Sequence, residues 1–237
     1  LDHFGSNNPE DYLRGFPMHP HRGIETVTYM LAGLVRHKDS LGNKGVITSG
    51  DVQWMTAGKA ILHEEMPEGL GGNMEGFQLW VNLPARLKLS PPRYQEIKAG
   101  DIPWMNPTKG VVVRLIAGDY GGNSRPVTEI AVDPLYMDVA VDAGDVFTHE
   151  IPEEHHAFIY VFRGGGKLCG SEVESTRLLI LGKGNKIEVK AGLHGTRFLL
   201  VAGKPLEEPI VRYGPIVMNT AEEIHQTLRE LRDGTFI

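Results

Sequence analysis

The chain has 237 residues, 41% hydrophobic and 23% charged, with a formal net charge of −6: enough for two small domains or one large barrel, and too acidic for a broad basic surface that would hold nucleic acid or anionic lipid. A single cysteine, Cys169, excludes an intramolecular disulfide framework, and no apolar run approaches the roughly 20 residues that span a bilayer. These features predict a cytoplasmic location, or a nuclear one in a eukaryote, and because the first residue is Leu1 a native N-terminal segment is expected to precede it.

Turn signals are dense, with 29 Gly and 15 Pro. In chain order, a β-branched and aromatic run at 25–30 predicts a strand, followed by turns at Leu41-Gly42-Asn43 and Ala57-Gly58. Pro84, Pro91, Pro92, Pro103 and Pro107, with a turn at Ala99-Gly100-Asp101 between them, mark the place where the chain crosses from one domain to the next. Further strands are expected at 111–116, 136–141, 158–162 and 196–201, with turns at Gly121-Gly122-Asn123 and Gly164-Gly165-Gly166. The glycine run reads as a hairpin turn, because no P-loop lysine-serine pattern follows it. Near the C-terminus, Thr220 and Glu223 fit a capping box, and Ile224, Leu228 and Leu231 recur on one helical face before Gly234. Many short strands with one terminal helix predict an all-β fold of jelly-roll type. Two stretches of similar grammar, about 15–90 and 135–205, suggest two related barrels; the division is placed at 1–105 and 106–237, with the helix ending the second.

The chemistry concentrates in the first half. His19-Pro20-His21 sets two imidazoles at i and i+2, and Pro20 disfavours helix at His19, so in an extended segment both rings point to one face. His63-Glu64-Glu65 repeats the spacing with a carboxylate. Taken singly, His63 reads as a core histidine and Glu65 as a strand carboxylate; the two pairs together offer three imidazoles and one carboxylate, which suit iron, manganese, nickel, copper or zinc. Glu25 shares the parity of His21, so alternation alone leaves it open as an alternative ligand. His37 and His225 read as surface residues, and Cys169, in a turn-rich stretch, has no His or Asp spaced as a partner.

The runs Phe16-Pro17-Met18-His19-Pro20-His21-Arg22-Gly23-Ile24-Glu25-Thr26 and Gln53-Trp54-Met55-Thr56-Ala57-Gly58, then Ile61-Leu62-His63-Glu64-Glu65-Met66-Pro67 and Gln78-Leu79-Trp80-Val81-Asn82-Leu83, resemble the pirin signature. Gly214-Pro215-Ile216-Val217-Met218-Asn219-Thr220 extends the likeness towards the C-terminus. The resemblance implies a bicupin, two jelly-roll barrels with a short C-terminal helix. It implies one Fe(II) per chain, or another divalent transition metal, held by His19, His21, His63 and Glu65, and so prefers Glu65 to Glu25. In the second barrel His149, His155, His156 and His194 form no such pairs, and no second metal is expected. The implied activity is that of a quercetin 2,3-dioxygenase, an oxidoreductase that cleaves a flavonol with O₂. Glu65 would serve as the base and Gln78 would orient the substrate. An alternative implied by the family is a non-catalytic, iron-dependent redox sensor that binds transcription factors or other proteins. No direct contact with nucleic acid or membrane is expected under either reading.

Overall fold

The structure, a computed structural model, describes residues 1–68, 72–122, 127–128, 130 and 132–237. Asn123, expected in a turn, lies outside the described residues. The chain forms two compact units, one of Leu1–Ala99 with Glu207–Ile237 and the other of Gly100–Leu206.

In the first unit the strands are β1 (Asp2–Ser6), β2 (Phe16–His21), β3 (Ile24–Ala32), β4 (Leu34–Asp39), β5 (Lys44–Thr48), β6 (Val52–Thr56), β7 (Ile61–Glu68), β8 (Met74–Asn82) and β9 (Arg93–Ile97), with one turn of helix, α1 (Pro9–Tyr12). They build a five-stranded sheet in the order β1-β8-β3-β6-β9 and a four-stranded sheet in the order β2-β7-β4-β5. Every pairing in the two sheets is antiparallel. β3 and β6 carry β-branched, aromatic and sulfur side chains, and β6 is buried throughout. β7 instead alternates, with Ile61, His63, Glu65 and Pro67 buried between half-buried neighbours. Apolar side chains close one end, where Tyr12, Met30, Val35, Ile47 and Met74 pack together.

The second unit holds β10 (Trp104–Met105), β11 (Val111–Ala117), β12 (Leu135–Val141), β13 (Val146–Glu150), β14 (His156–Leu168), β15 (Ser171–Glu174), β16 (Arg177–Ile180) and β17 (Lys186–Gly203). They form one eight-stranded sheet, with β10-β11-β12-β17-β14-β15 in order, β13 on β17 and β16 on β14. Its interior is apolar, including Val113, Leu115, Met137, Val139, Ile159, Val161, Leu168, Val189, Phe198 and Leu200. One expectation is corrected here. Gly164-Gly165-Gly166 is not a hairpin turn but the middle of β14, where the register against β17 shifts twice. A Cβ at Gly164 would sit 2.1 Å from Gly195 O, and one at Gly165 2.4 Å from Val173 O, so the backbones of three strands approach too closely for side chains. The hairpin turn comes later, at Cys169 and Gly170, both at positive φ.

The chain then returns to the first unit through β18 (Val211–Tyr213), β19 (Ile216–Met218) and α2 (Ala221–Asp233). The expected division at residue 105 placed this tail with the second barrel. The difference is made by Arg22, directly after His21: it bridges to Ile216 in parallel, and its carbonyl accepts from Val217 N at 3.0 Å. Its guanidinium, buried over the Phe236 ring, bonds Lys59 O, Thr227 Oγ1 and Glu230 Oε2. α2 starts at the expected capping box, Thr220 with Glu223, and ends at Gly234 in the left-handed region. Ile224, Leu228 and Leu231 turn inward onto Ile216 and Met218. Nearby, the buried Lys88 ammonium donates to Gly23 O, Asn82 Oδ1 and Val217 O at 2.7–2.9 Å, with burial lowering its pKa to about 8.

Candidate metal centre

β2 and β7 run antiparallel, with His19 opposite His63 and His21 opposite Ile61. Residues directly opposite in such a pair face the same side, as do residues two apart on one strand. Between Phe16 and His19 the register gains one residue on β2, a bulge that re-aims the strand just before the two histidines. His19, His21 and His63 therefore converge. Each contributes one ring nitrogen to a set within 4.8 Å of one another, and the ring centres are 4.4–4.9 Å apart.

His19 Nδ1–H donates to Pro17 O at 2.9 Å. That bond fixes the tautomer and leaves a lone pair on Nε2, which lies 3.0 Å from His21 Nε2. Among the described residues, neither ring nitrogen of His63, a residue only 1% exposed, has a hydrogen-bond partner. Burial first, and then the neighbouring imidazoles, lowers the His21 pKa to about 2; burial, then His19 and His37, lowers that of His63 to about 3. His21 and His63, held neutral by burial, with the lone pair of His19 Nε2 beside them, form a donor set that a divalent transition metal fits.

Glu65 stands two residues along the same face of β7, outside the three-imidazole group. Its carboxylate is held from the facing sheet: Thr28 Oγ1 donates to Oε1 at 3.2 Å and Gln78 Nε2 to Oε2 at 2.9 Å. Trp80 Nε1 in turn donates to Gln78 Oε1 at 3.2 Å, and the Trp80 ring stands edge to His21 at 5.5 Å. Glu25 is turned away. It lies three residues from Thr28 on β3 and hence on the opposite face, where Thr56 Oγ1 donates to its carboxylate at 2.6 Å and burial raises its pKa.

His37, expected on the surface, is instead buried opposite Glu65 in the β4–β7 register. Its Nε2 lies 2.9 Å from Glu96 Oε1 and 2.8 Å from Gln53 Nε2, and its ring stacks on Tyr94 at 5.7 Å. Burial, followed by the Asp39 carboxylate, raises the Tyr94 pKa. His225 is exposed, as expected, and Cys169 is a free, exposed thiol.

His19, Glu65, Thr28, Gln78 and Trp80 open onto a cavity of about 520 Å³, otherwise walled largely by Phe4, Phe16, Val35, Pro67 and Met74, with Arg212, Gly214 and Pro215 at the β18–β19 hairpin. Sequence reasoning missed Thr28, Trp80 and Arg212. Thr28 and Trp80 carry a readable signal, since Gln78 and Trp80 share strand parity and Thr28 is the register partner of Gln78 once β3 and β8 are paired. Arg212 carries none.

Known proteins are similar to this chain in sequence and fold. The pirin family profile matches residues 1–81, and the profile described as the pirin C-terminal cupin domain matches residues 136–237. A Pseudomonas aeruginosa protein provisionally named quercetin 2,3-dioxygenase is 47% identical over 245 residues, covering 99% of this chain and 84% of its own. A crystal structure of quercetin 2,3-dioxygenase from Acinetobacter baumannii superposes with a TM-score of 0.89 at 40% identity, over 94% of this chain and 79% of that one. A bacterial pirin of Escherichia coli, solved in complex with nickel(II), superposes with a TM-score of 0.64 at 25% identity, over 81% of this chain and 77% of that one.

Proposed function

This chain belongs to the pirin family, and from that premise we propose that it is a metal-dependent oxidoreductase that cleaves a flavonol such as quercetin with O₂, taking the metal on His19, His21, His63 and Glu65. The observation that carries the reading is the cavity itself: an apolar-walled space of about 520 Å³ that His19, Glu65 and Gln78 all reach. A redox sensor that acts through its outer surface needs no such space. A flat aromatic ligand fits walls of Phe4, Phe16, Pro67 and Met74.

When bound, the metal supplies a Lewis acid and an electron exchanger at the imidazole end of the cavity. Fe(II) is the ion proposed for this chain, and the nickel(II) complex of the E. coli relative supports other divalent transition metals as alternatives. Glu65 accepts the proton of the flavonol 3-hydroxyl, a role supported by its place beside the imidazoles and by donors from Thr28 and Gln78 that hold its oxygens in one orientation. Gln78 acts on the substrate indirectly, through Glu65. In the overall reaction both atoms of O₂ enter the ring-opened ester, and one carbon of the heterocycle leaves as carbon monoxide.

The test is anaerobic loading with Fe(II), metal quantitation on the wild type and His63→Ala, and then oxygen uptake with quercetin. About one iron per chain in the wild type, its loss in the variant, and quercetin consumed with release of carbon monoxide are expected. One iron bound with no flavonol consumed would remove the dioxygenase reading and leave the metal site standing.

A further inference from the structure

The cavity wall carries two chemically different groups. One is the imidazoles with Glu65; the other is Arg212, which projects from β18 across the Trp80 ring from His21. The lining charges other than Glu65 are few: Arg212, Asp2, and His3, whose Nε2 is engaged by Glu75 Oε1 at 2.9 Å. Two contacts restrain the Arg212 guanidinium. Its Nε donates to Gly214 O at 2.9 Å, and its central carbon stands 5.1 Å over the Trp80 ring. With Nε so occupied, the two terminal amino groups remain as a planar fork on the exposed rim. Trp80 also stands against His21, so a single indole separates this cation from the candidate metal ligands.

The hairpin that carries Arg212 is itself fixed. β19 follows two residues later and is tied to the His21 turn through the Arg22–Ile216 bridge and Val217 N to Arg22 O. The cation thus sits at a set place relative to the imidazoles rather than on a free loop. A guanidinium above an indole, at the rim of a largely apolar-walled cavity, attracts oxygen that carries negative charge in preference to an unsubstituted hydrocarbon edge.

We propose that Arg212 is a specificity-determining residue that selects aromatic ligands bearing an acidic phenol, or another oxyanion, where they reach the Trp80 side of the cavity. This rests on the flavonol reading above and adds to it a preference for polyhydroxylated flavonols over the parent 3-hydroxyflavone.

The experiment uses full-length protein loaded with Ni(II) and kept free of oxygen, so that no flavonol is consumed. Binding of quercetin and of 3-hydroxyflavone is followed by quenching of tryptophan fluorescence in the wild type, Arg212→Gln and Arg212→Lys. Metal content and circular dichroism serve as checks of the fold. The wild type is expected to prefer quercetin; Arg212→Gln should weaken quercetin about 10-fold, roughly 1.4 kcal/mol, and 3-hydroxyflavone less than about twofold, with Arg212→Lys between. Equal weakening of both ligands, or of neither, would overturn the assignment. Binding with the expected ratios but no turnover of either flavonol by the iron-loaded wild type would overturn the dioxygenase reading alone. Binding of neither ligand to the wild type would overturn both.

Discussion

Gln78 Nε2 donates to Glu65 Oε2 at 2.9 Å across the space between two sheets, while the Gln78 carbonyl accepts from Trp80 Nε1. The amide joins the carboxylate expected to act as base to the indole that walls the cavity. Gln78→Leu removes both bonds and leaves an unpaired oxygen on Glu65. Supporting residues of this kind alter metal affinity or activity by about 10- to 100-fold when lost. Metal titration and oxygen uptake on the variant should show a fall of that size in one or the other. Wild-type values in both would make Gln78 packing only.

Among the described residues, His63 finds no hydrogen-bond partner for either ring nitrogen despite being buried. Unpaired buried polar groups are destabilising by about 1–3 kcal/mol, so the metal-free fold holds this residue at a loss. His63→Leu should therefore leave the metal-free protein as stable as wild type or more so, while abolishing the rise in Tm expected of the wild type on metal binding. Thermal unfolding with and without Ni(II) decides it, and a large destabilisation of the metal-free variant would contradict the argument.

The pH dependence of the metal-free protein follows from the same imidazoles. His21 and His63 have folded pKa values lowered to about 2 and about 3 from an ordinary value of 6.5. Below 6.5 the unfolded chain takes up protons that the folded chain refuses, so the stability contribution present above that pH is lost as pH falls towards the folded values. Urea unfolding midpoints at pH 7.5, 5.5 and 4.5 should decline in that order. A midpoint that rises on acidification would show that these rings are charged in the fold.

Lys88 is fully buried, and its ammonium serves two carbonyls and the Asn82 side chain. Lys88→Met keeps much of the volume but removes the charged donor to Gly23 O, Val217 O and Asn82 Oδ1 and leaves Gly23 O with Leu83 N alone, for a loss of about 2–3 kcal/mol. Because Gly23 follows His21 and Arg22 directly, metal content should fall with stability. Urea denaturation and metal quantitation on one sample test both, and unchanged stability would mean that water replaces the ammonium.

Local alternation was readable without the fold. The i, i+2 spacing of His19 with His21, and of His63 with Glu65, was enough to predict two pairs on one face each, because side-chain direction along a strand depends only on the backbone of that strand. The capping box at Thr220 and Glu223 was equally local, three residues wide and satisfied by its own turn. The glycine run misled for the opposite reason. What makes Gly164 and Gly165 necessary is the closeness of Gly195 and Val173 on other strands, which no local pattern carries.

What the chain alone determined, then, was the donor types on offer and the strand faces that carry them. Tertiary structure decided which faces meet. Parity could not separate Glu25 from Glu65 because a turn at Gly23, with φ of +77°, breaks the alternation between β2 and β3. Opposition of β3 and β8 to β7 set Thr28 and Gln78 on Glu65, and pairing of β4 with β7 buried His37. The return of residues 207–237 to the first unit brought Arg212 to a cavity whose histidines lie nearly two hundred residues earlier. Strand register and chain return depend on the packing of distant segments, so they enter only when the barrel closes.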